Sequence, residues 1–334
     1  MKSKLKKILF IQNASSSFVI NDLSILKKYF PLKVFEFKLK RKTWRDKVFF
    51  YLELIFDMLW SDLVFIWFAD KHAYKTIRIS ELMRKKSIVV VGGYEVARVP
   101  ELQYGLLLQE NSSEMVQYIL HHASKIVAVS QFSREEIVIN SGLKNTILIY
   151  NGIDINEFKP AINREKENIV ISIAFVHDID RIKLKGLNTF VSAAKLLPEI
   201  KFIMIGMTGL AKEHLEKISP PNLELIEPVE KEKIIYHCQK AKVYCQLSFR
   251  ESFGVALVEA MACECVPVVT DTGALPEIVG NTGFIVSYGD IENTARAIRE
   301  AIVSDKGESA RNRVLENFTL EKRERALVGL INSP

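Results

Sequence analysis

A series of short, mainly apolar, Val/Ile-rich runs separated by amphipathic stretches restricts the fold more than any other feature of this chain. In the first half the runs fall at residues 8–11, 63–67, 88–91, 126–129 and 147–150. After a polar, charged connector at 156–168 the series restarts at 169–174, 202–205, 223–226, 243–247, 267–269 and 284–286. Unbroken apolar runs suit parallel strands that helices cover on both faces, and segments such as 187–197 and 255–262 have the spacing of covering helices. The pattern predicts an α/β chain of two Rossmann-like, doubly wound domains, since 334 residues exceed what one hydrophobic core usually serves. The expected divisions are an N-terminal domain over 1–155, a C-terminal domain over 156–310, and helices over 311–334 that pack back on either domain, the first included. Ligands of such sheets bind beyond the carboxyl ends of the strands, so a substrate shared by both domains would occupy the cleft that they face.

Apolar residues make up 48% of the chain and charged ones 26%, with no low-complexity tract, which excludes extensive disorder. The four cysteines, Cys238, Cys245, Cys263 and Cys265, match neither a zinc ribbon nor a paired disulfide framework and read as reduced, buried thiols of a cytosolic protein. The basic start Met1–Lys7 mimics the head of a signal peptide, but the apolar run behind it is too short and reads as a buried strand. The most hydrophobic window, 52–69, carries Glu53, Asp57 and Asp62 and is not expected to span a membrane.

Charge is divided unevenly. Of 46 basic and 40 acidic residues, residues 1–150 hold 23 and 14, a net +9 that leaves −3 for the rest. Such a surface favours an acidic partner, with a merely solvated basic face as the alternative. No recognised nucleic-acid module lies behind the charge, so nucleic acid is not an expected partner. The basic stretch from Lys38 to Lys47, followed by Val48, Phe49, Phe50, Tyr51 and Trp60, suits peripheral contact with an anionic membrane. Because Leu52, Ile55, Phe56 and Leu59 have core spacing, the favoured reading of this segment is a core helix with a charged entry.

The segment richest in chemistry is Arg250-Glu-Ser-Phe-Gly-Val-Ala-Leu-Val-Glu-Ala-Met-Ala262, read as a loop leading into a helix. Gly254 lets backbone N–H groups approach a ligand, and the helix N-terminus offers orphan donors and a positive dipole end to a diphosphate. Glu251 and Glu259 stand about two turns apart, and a carboxylate accepts from two hydroxyls at once, as the vicinal diols of ribose or a hexose require. The plainer alternative makes Glu251 a helix-start acid and Glu259 a salt-bridged surface residue.

This stretch resembles glycosyltransferase family 4, the retaining "glycosyl transferases group 1" type of GT-B architecture, whose donor site has two Glu separated by seven residues around a Phe-Gly loop. The resemblance continues through Pro267-Val-Val269, Thr270-Asp-Thr-Gly-Ala-Leu-Pro-Glu-Ile-Val279, Gly283-Phe-Ile-Val286, and Asn151-Gly-Ile-Asp154 with Phe158-Lys-Pro160, and covers most of the second half in order. It implies that Glu259 binds the nucleotide ribose, that Glu251 contacts the donor sugar, and that Phe253, Gly254 and Val255, with Ser252 beside them, hold phosphate and sugar. Lys185, ahead of Gly186, is expected at the donor diphosphate, and Arg181 is a candidate for the Arg that the family places before that Lys. The implied reaction moves a hexose-type sugar from a UDP-, GDP- or ADP-linked donor to a hydroxyl of a glycan, lipid-linked or glycolipid acceptor, with retention.

No cofactor and no essential metal are expected; Asp178-Ile-Asp180 resembles the Asp-x-Asp of a different, metal-dependent fold, but a three-residue match arises by chance. Glu264 stands where the family commonly has Gly, and Gln12-Asn-Ala-Ser-Ser-Ser17 replaces the usual Gly-Gly loop of the first domain. Acceptor-side candidates are therefore Ser15, Ser16, His72, Tyr94 and Glu95, the last two facing the cleft. The implied location is cytoplasmic or peripheral at the cytoplasmic membrane face. Two alternatives are a nucleotide-sugar epimerase or hydrolase of the same fold and a non-catalytic sugar-nucleotide-binding subunit.

Overall fold

The computed structural model describes residues 6–37, 44–162 and 165–333, so the first five residues and Lys38–Thr43 of the basic stretch lie outside the described part. The chain forms two compact units, one of Met1–Gly152 with Glu321–Pro334 and the other of Ile153–Leu320.

Unit 1 contains β1 (Ile8–Gln12), α1 (Ser17–Tyr29), β2 (Leu32–Glu36), α2 (Trp44–Trp60), β3 (Leu63–Trp67), α3 (Lys71–Leu82), β4 (Lys86–Val91), α4 (Glu110–His122), β5 (Lys125–Ala128), α5 (Gln131–Ser141) and β6 (Thr146–Leu148). The strands pair in parallel in the order β2-β1-β3-β4-β5-β6. Because side chains alternate across a strand, Leu9, Ile11, Val64, Ile66, Val89 and Val91 share one face, which packs on Leu54 and Met58 of α2, Ile77 of α3 and Ile119 of α4. β2 carries no unbroken apolar run, because as the edge strand it buries only Phe35.

Unit 2 contains β7 (Glu167–Val176), α6 (Ile179–Leu184), α7 (Leu187–Leu196), β8 (Lys201–Met207), α8 (Gly209–Ile218), β9 (Leu223–Ile226), α9 (Lys231–Lys240), β10 (Ala241–Gln246), α10 (Val255–Ala262), β11 (Val266–Thr270), α11 (Leu275–Val279), β12 (Phe284–Val286), α12 (Ile291–Val303) and α13 (Lys306–Asn317). Its parallel sheet runs β12-β11-β10-β7-β8-β9, so the first and fourth strands of the unit are neighbours. That is the dinucleotide-fold order, in which strands leave the centre in opposite directions and open a crevice at their carboxyl ends.

The last helix, α14 (Leu320–Asn332), returns to unit 1 from Glu321 onward. α13 stays in unit 2, so the second crossing falls at 320 and not at 310. The Arg313 Nε and Nη2 groups of α13 donate to the carbonyls of Ile278 and Glu277, both at 2.6 Å. In unit 1, Arg323 of α14 forms a fully buried, two-pronged ion pair with Asp22 of α1, at 2.5 and 2.7 Å, and the Trp67 indole donates to the same carboxylate at 2.9 Å.

Glu264 adopts φ +65, the left-handed region. It follows α10 in a helix-ending loop in which Glu264 N–H donates to Met261 O at 2.9 Å and Cys265 N–H to Ala260 O at 3.0 Å, the geometry that favours glycine. A side chain there costs about 1–2 kcal/mol of backbone strain, offset in part by the greater freedom a glycine loses on folding. Glu264→Gly is therefore expected to stabilise the protein by about 1 kcal/mol, read as a raised urea midpoint; an unchanged or lowered midpoint would show the strain to be absent.

Candidate functional site

The two loops that meet at the crevice of unit 2 come from β7 and β10. After β7 the chain makes α6 and ends it at Lys185, and Gly186 (φ +64) turns into α7. A Cβ on Gly186 would lie 1.8 Å from the Leu247 carbonyl, so only glycine lets this turn press against the end of β10. Phe249 N–H donates to Leu184 O at 2.8 Å and joins the loops. The result is an ion pair of 2.8 Å between Lys185 Nζ and Glu251 Oε2, with both side chains partly open to solvent.

Two further bonds hold Glu251, and others fix the loop around it. Gln246, at the end of β10, donates its amide to Glu251 Oε2 at 3.2 Å and to Ser248 Oγ at 3.0 Å, and its own oxygen accepts from the Tyr244 hydroxyl at 2.8 Å. Thr270 and Thr272 donate to the Ser248 carbonyl at 2.6 and 2.7 Å. Ala274 N–H donates to Glu251 O at 2.8 Å, and a Cβ on Gly273 (φ +62) would reach that carbonyl at 2.4 Å. Thr270, Thr272, Gly273 and Ala274 fall in the stretch of resemblance, whereas Tyr244, Gln246 and Ser248 were not singled out from the sequence. The one available signal was Gln246 itself, a polar side chain ending an otherwise apolar strand.

Gly254, in the left-handed region, begins α10, whose first intrahelical bond is Val258 N–H to Gly254 O at 3.1 Å. The N–H groups of Val255, Ala256 and Leu257 therefore have no helix carbonyl to bind. Phe253 is buried edge-on against Phe318, and Ser252 Oγ accepts from Arg250 at 3.3 Å. Arg181 lies one helical turn before Lys185, whose N–H donates to its carbonyl at 3.0 Å, and is exposed.

Glu259, on the second turn of α10, has no ion-pair partner among the described residues. Burial raises its carboxyl to about 8, against an opposing pull from Lys231 and a small push from Glu157. The side chain is thus partly buried and expensive to ionise without a ligand, unlike a salt-bridged surface acid. The four cysteines are free and buried, and burial pushes Cys265 up to about 11.

In unit 1 the corresponding crevice lies between β1 and β3, where Asn13 donates to Asp70 at 2.8 Å. Ser15 is exposed, and Ser16 precedes α1 without a side-chain cap bond. His72 is buried with both ring nitrogens engaged, one by Asp70 and the other by Trp67 O at 2.7 Å. Burial opposes ionisation of Asp70, yet the hydrogen bonds from His72 and Asn13 hold its carboxyl below the usual range. Tyr94 and Glu95, expected to face the ligand together, differ: Tyr94 is 42% exposed and Glu95 only 2%. The Glu95 carboxylate accepts from the N–H groups of Ala69, Gly92 and Gly93 at 2.8–3.0 Å, which ties the ends of β3 and β4 together and leaves it turned inward. Burial raises the Glu95 carboxyl despite these bonds.

Two parallel sheets of six strands with flanking helices make this a GT-B fold. Over 99% of the chain it superposes on all of Anabaena Alr3699/HepE, crystallised with UDP, at a TM-score of 0.81 and 16% identity. It superposes on sucrose-phosphate synthase from Thermosynechococcus elongatus at 0.78 and 15% identity, covering 98% of each. Residues 154–318, all within unit 2, match the family Glycosyl transferases group 1. Relatives include a component of the phosphatidylinositol N-acetylglucosaminyltransferase of Arabidopsis thaliana, 24% identical over 69% of this chain, and the capsular polysaccharide biosynthesis glycosyltransferase CapM of Staphylococcus aureus, 28% identical over 73%. The matched region spans 53% of the Arabidopsis protein and 69% of the staphylococcal one.

Proposed function

We propose that this protein transfers a hexose-type sugar, with retention and without an essential metal, from a nucleoside-diphosphate sugar to a hydroxyl of a glycan or lipid-linked acceptor. The observation that carries this reading is the Lys185–Glu251 pair at 2.8 Å, set at the switch point of the unit 2 sheet beside the open N-terminus of α10. The donor enters by separating that pair. Its sugar hydroxyls donate to Glu251, while Lys185 and the N–H groups at the start of α10 take the diphosphate, with Arg181 one turn away. Charge that develops on the departing diphosphate is stabilised there, and a phosphate oxygen takes the acceptor proton as the hydroxyl adds on the face the diphosphate leaves. Inverted product stereochemistry would contradict this course. The UDP in Anabaena HepE and the polysaccharide and phosphatidylinositol chemistry named in the relatives support the donor and acceptor classes, and a place at the cytoplasmic membrane face suits a lipid-linked acceptor.

Glu259 supplies the test. Two ribose hydroxyls need an acceptor-only carboxylate, but in the free protein this group holds its proton up to about pH 8. Nucleotide binding is therefore expected to release a proton below pH 8 and to tighten by up to about tenfold per pH unit from 6 towards 8. Calorimetry in two buffers of different ionisation heat measures the release. The sign for folding is opposite: with the folded value raised above the ordinary 4.5 of a glutamate, ionisation costs stability as pH rises from about 4.5 through 8. Glu259→Gln is thus expected to weaken nucleotide binding yet raise stability at pH 8. In a melting panel of UDP, GDP, ADP and their sugars, one nucleotide at a hundredfold excess over Kd is expected to stabilise the wild type by about 2.7 kcal/mol and Glu259→Ala far less. No response to any nucleotide would overturn the donor site.

A further inference from the structure

Helix α2 is apolar on two opposite faces, and the protein covers only one of them. Phe50, Leu54 and Met58, each one turn from the next, are buried against the unit 1 sheet. At 100° per residue, Val48, Phe49, Leu52, Ile55, Phe56 and Leu59 form a second stripe roughly opposite the first, and all six are exposed. Four of these, Leu52, Ile55, Phe56 and Leu59, were the residues whose spacing indicated a core. The structure reverses that expectation, because i, i+3, i+4 spacing identifies an apolar face without saying what covers it. Phe49 and Phe56 are 69% and 66% exposed, and Trp44 at the helix start 70%. A monomeric protein rarely leaves so continuous an apolar strip open to water without a partner for it.

Cations border the strip. The Arg45 guanidinium lies 5.7 Å from the Trp44 ring, Lys47 is exposed on the first turn, and at the far end the Lys33 and Lys7 ammonium groups stand 5.1 and 5.4 Å from the Trp60 ring. The helix has three acidic residues: Asp46 stands between Arg45 and Lys47 on the first turn, Asp57 is paired with Lys33 at 2.5 Å, and Glu53 lies at the edge of the apolar sector. Residues 1–150, which make up most of the unit, carry a net +9. Exposed aromatics between long cationic side chains match the interface of an anionic bilayer, where rings enter the headgroup layer and ammonium and guanidinium groups reach lipid phosphates. No helix of the described residues is long and apolar enough to cross a membrane, so α2 would lie on the surface.

We infer that unit 1 docks on an anionic lipid bilayer through the Val48–Leu59 face of α2, with the helix axis in the headgroup plane. This goes beyond the transfer reaction and does not depend on it, since lipid binding needs neither donor nor turnover. The test is co-sedimentation of the full chain with vesicles of phosphatidylglycerol and phosphatidylcholine, against phosphatidylcholine alone, at low and high salt. Binding is expected to favour the anionic vesicles, to fall with salt, and to weaken about tenfold for each ring removed in Phe49→Ser and Phe56→Ser. Arg45→Glu with Lys47→Glu is expected to abolish the anionic preference. The serine variants should keep the wild-type melting temperature, because neither ring is packed inside the protein, so lost binding cannot be ascribed to misfolding. Equal binding of wild type and the double serine variant would overturn the proposal. So would a wild-type dimer that binds no vesicles and that the same variant dissociates, since a second copy would then be the cover.

Discussion

Alanine at Lys185 is expected to lower kcat about 10²–10³-fold, the usual cost of removing a group that stabilises developing charge, or about 2.7–4 kcal/mol of transition-state energy. The loss should fall mainly on kcat, because a leaving diphosphate gains charge in the transition state beyond that of the bound donor. Stability should change by less than about 1 kcal/mol, since the pair is partly solvated and Gln246 still donates to Glu251 after the lysine is gone. Initial rates with the donor that the melting panel selects check this. Arginine at 185 should restore part of the rate because the charge returns, although its planar group matches the site less well. An alanine variant within a few-fold of wild type would remove Lys185 from the chemistry.

The second large effect concerns folding. Arg323→Ala is expected to destabilise unit 1 by about 3–5 kcal/mol, because it leaves the Asp22 carboxylate fully buried with the Trp67 indole as its one remaining hydrogen-bond partner among the described residues. The same change frees the Ile149 and Tyr150 carbonyls, to which Arg323 Nη1 donates at 3.1 and 2.9 Å. A double variant, Arg323→Met with Asp22→Leu, should recover most of the loss, because both charges leave the interior together. Urea unfolding followed by tryptophan fluorescence, all three tryptophans lying in unit 1, measures each case. A single variant that loses under 1 kcal/mol would mean that water reaches the carboxylate and that α14 is held by its apolar side chains alone.

Much of this molecule was legible in its sequence because much of it is local. A strand covered on both faces is apolar at every position, as in β3, which coincides with the run at 63–67; the edge strands β9 and β12 coincide with the runs at 223–226 and 284–286 although Glu224 and Ile285 are exposed. The Phe253-Gly254 loop and the two glutamates could be picked out because a helix start and their spacing are written in neighbouring residues, and the resemblance added Lys185-Gly186. Glu264 could be marked as out of place, but its reason, a left-handed φ, belongs to the backbone conformation.

What only the tertiary structure decided is non-local. Edge strand β2 was hidden because Lys33 and Glu36 interrupt its apolar residues. Gln246 became part of the site only when the end of β10 met the loop after it, and Glu95 was withdrawn from the surface by N–H groups of two different strand ends. Arg323 finds Asp22 across almost the whole chain. For α2 the sequence determined that two helix faces are apolar, because period 3.6 is a property of neighbours. Which of the two is covered depends on where the sheet lies, and no neighbouring residue carries that information.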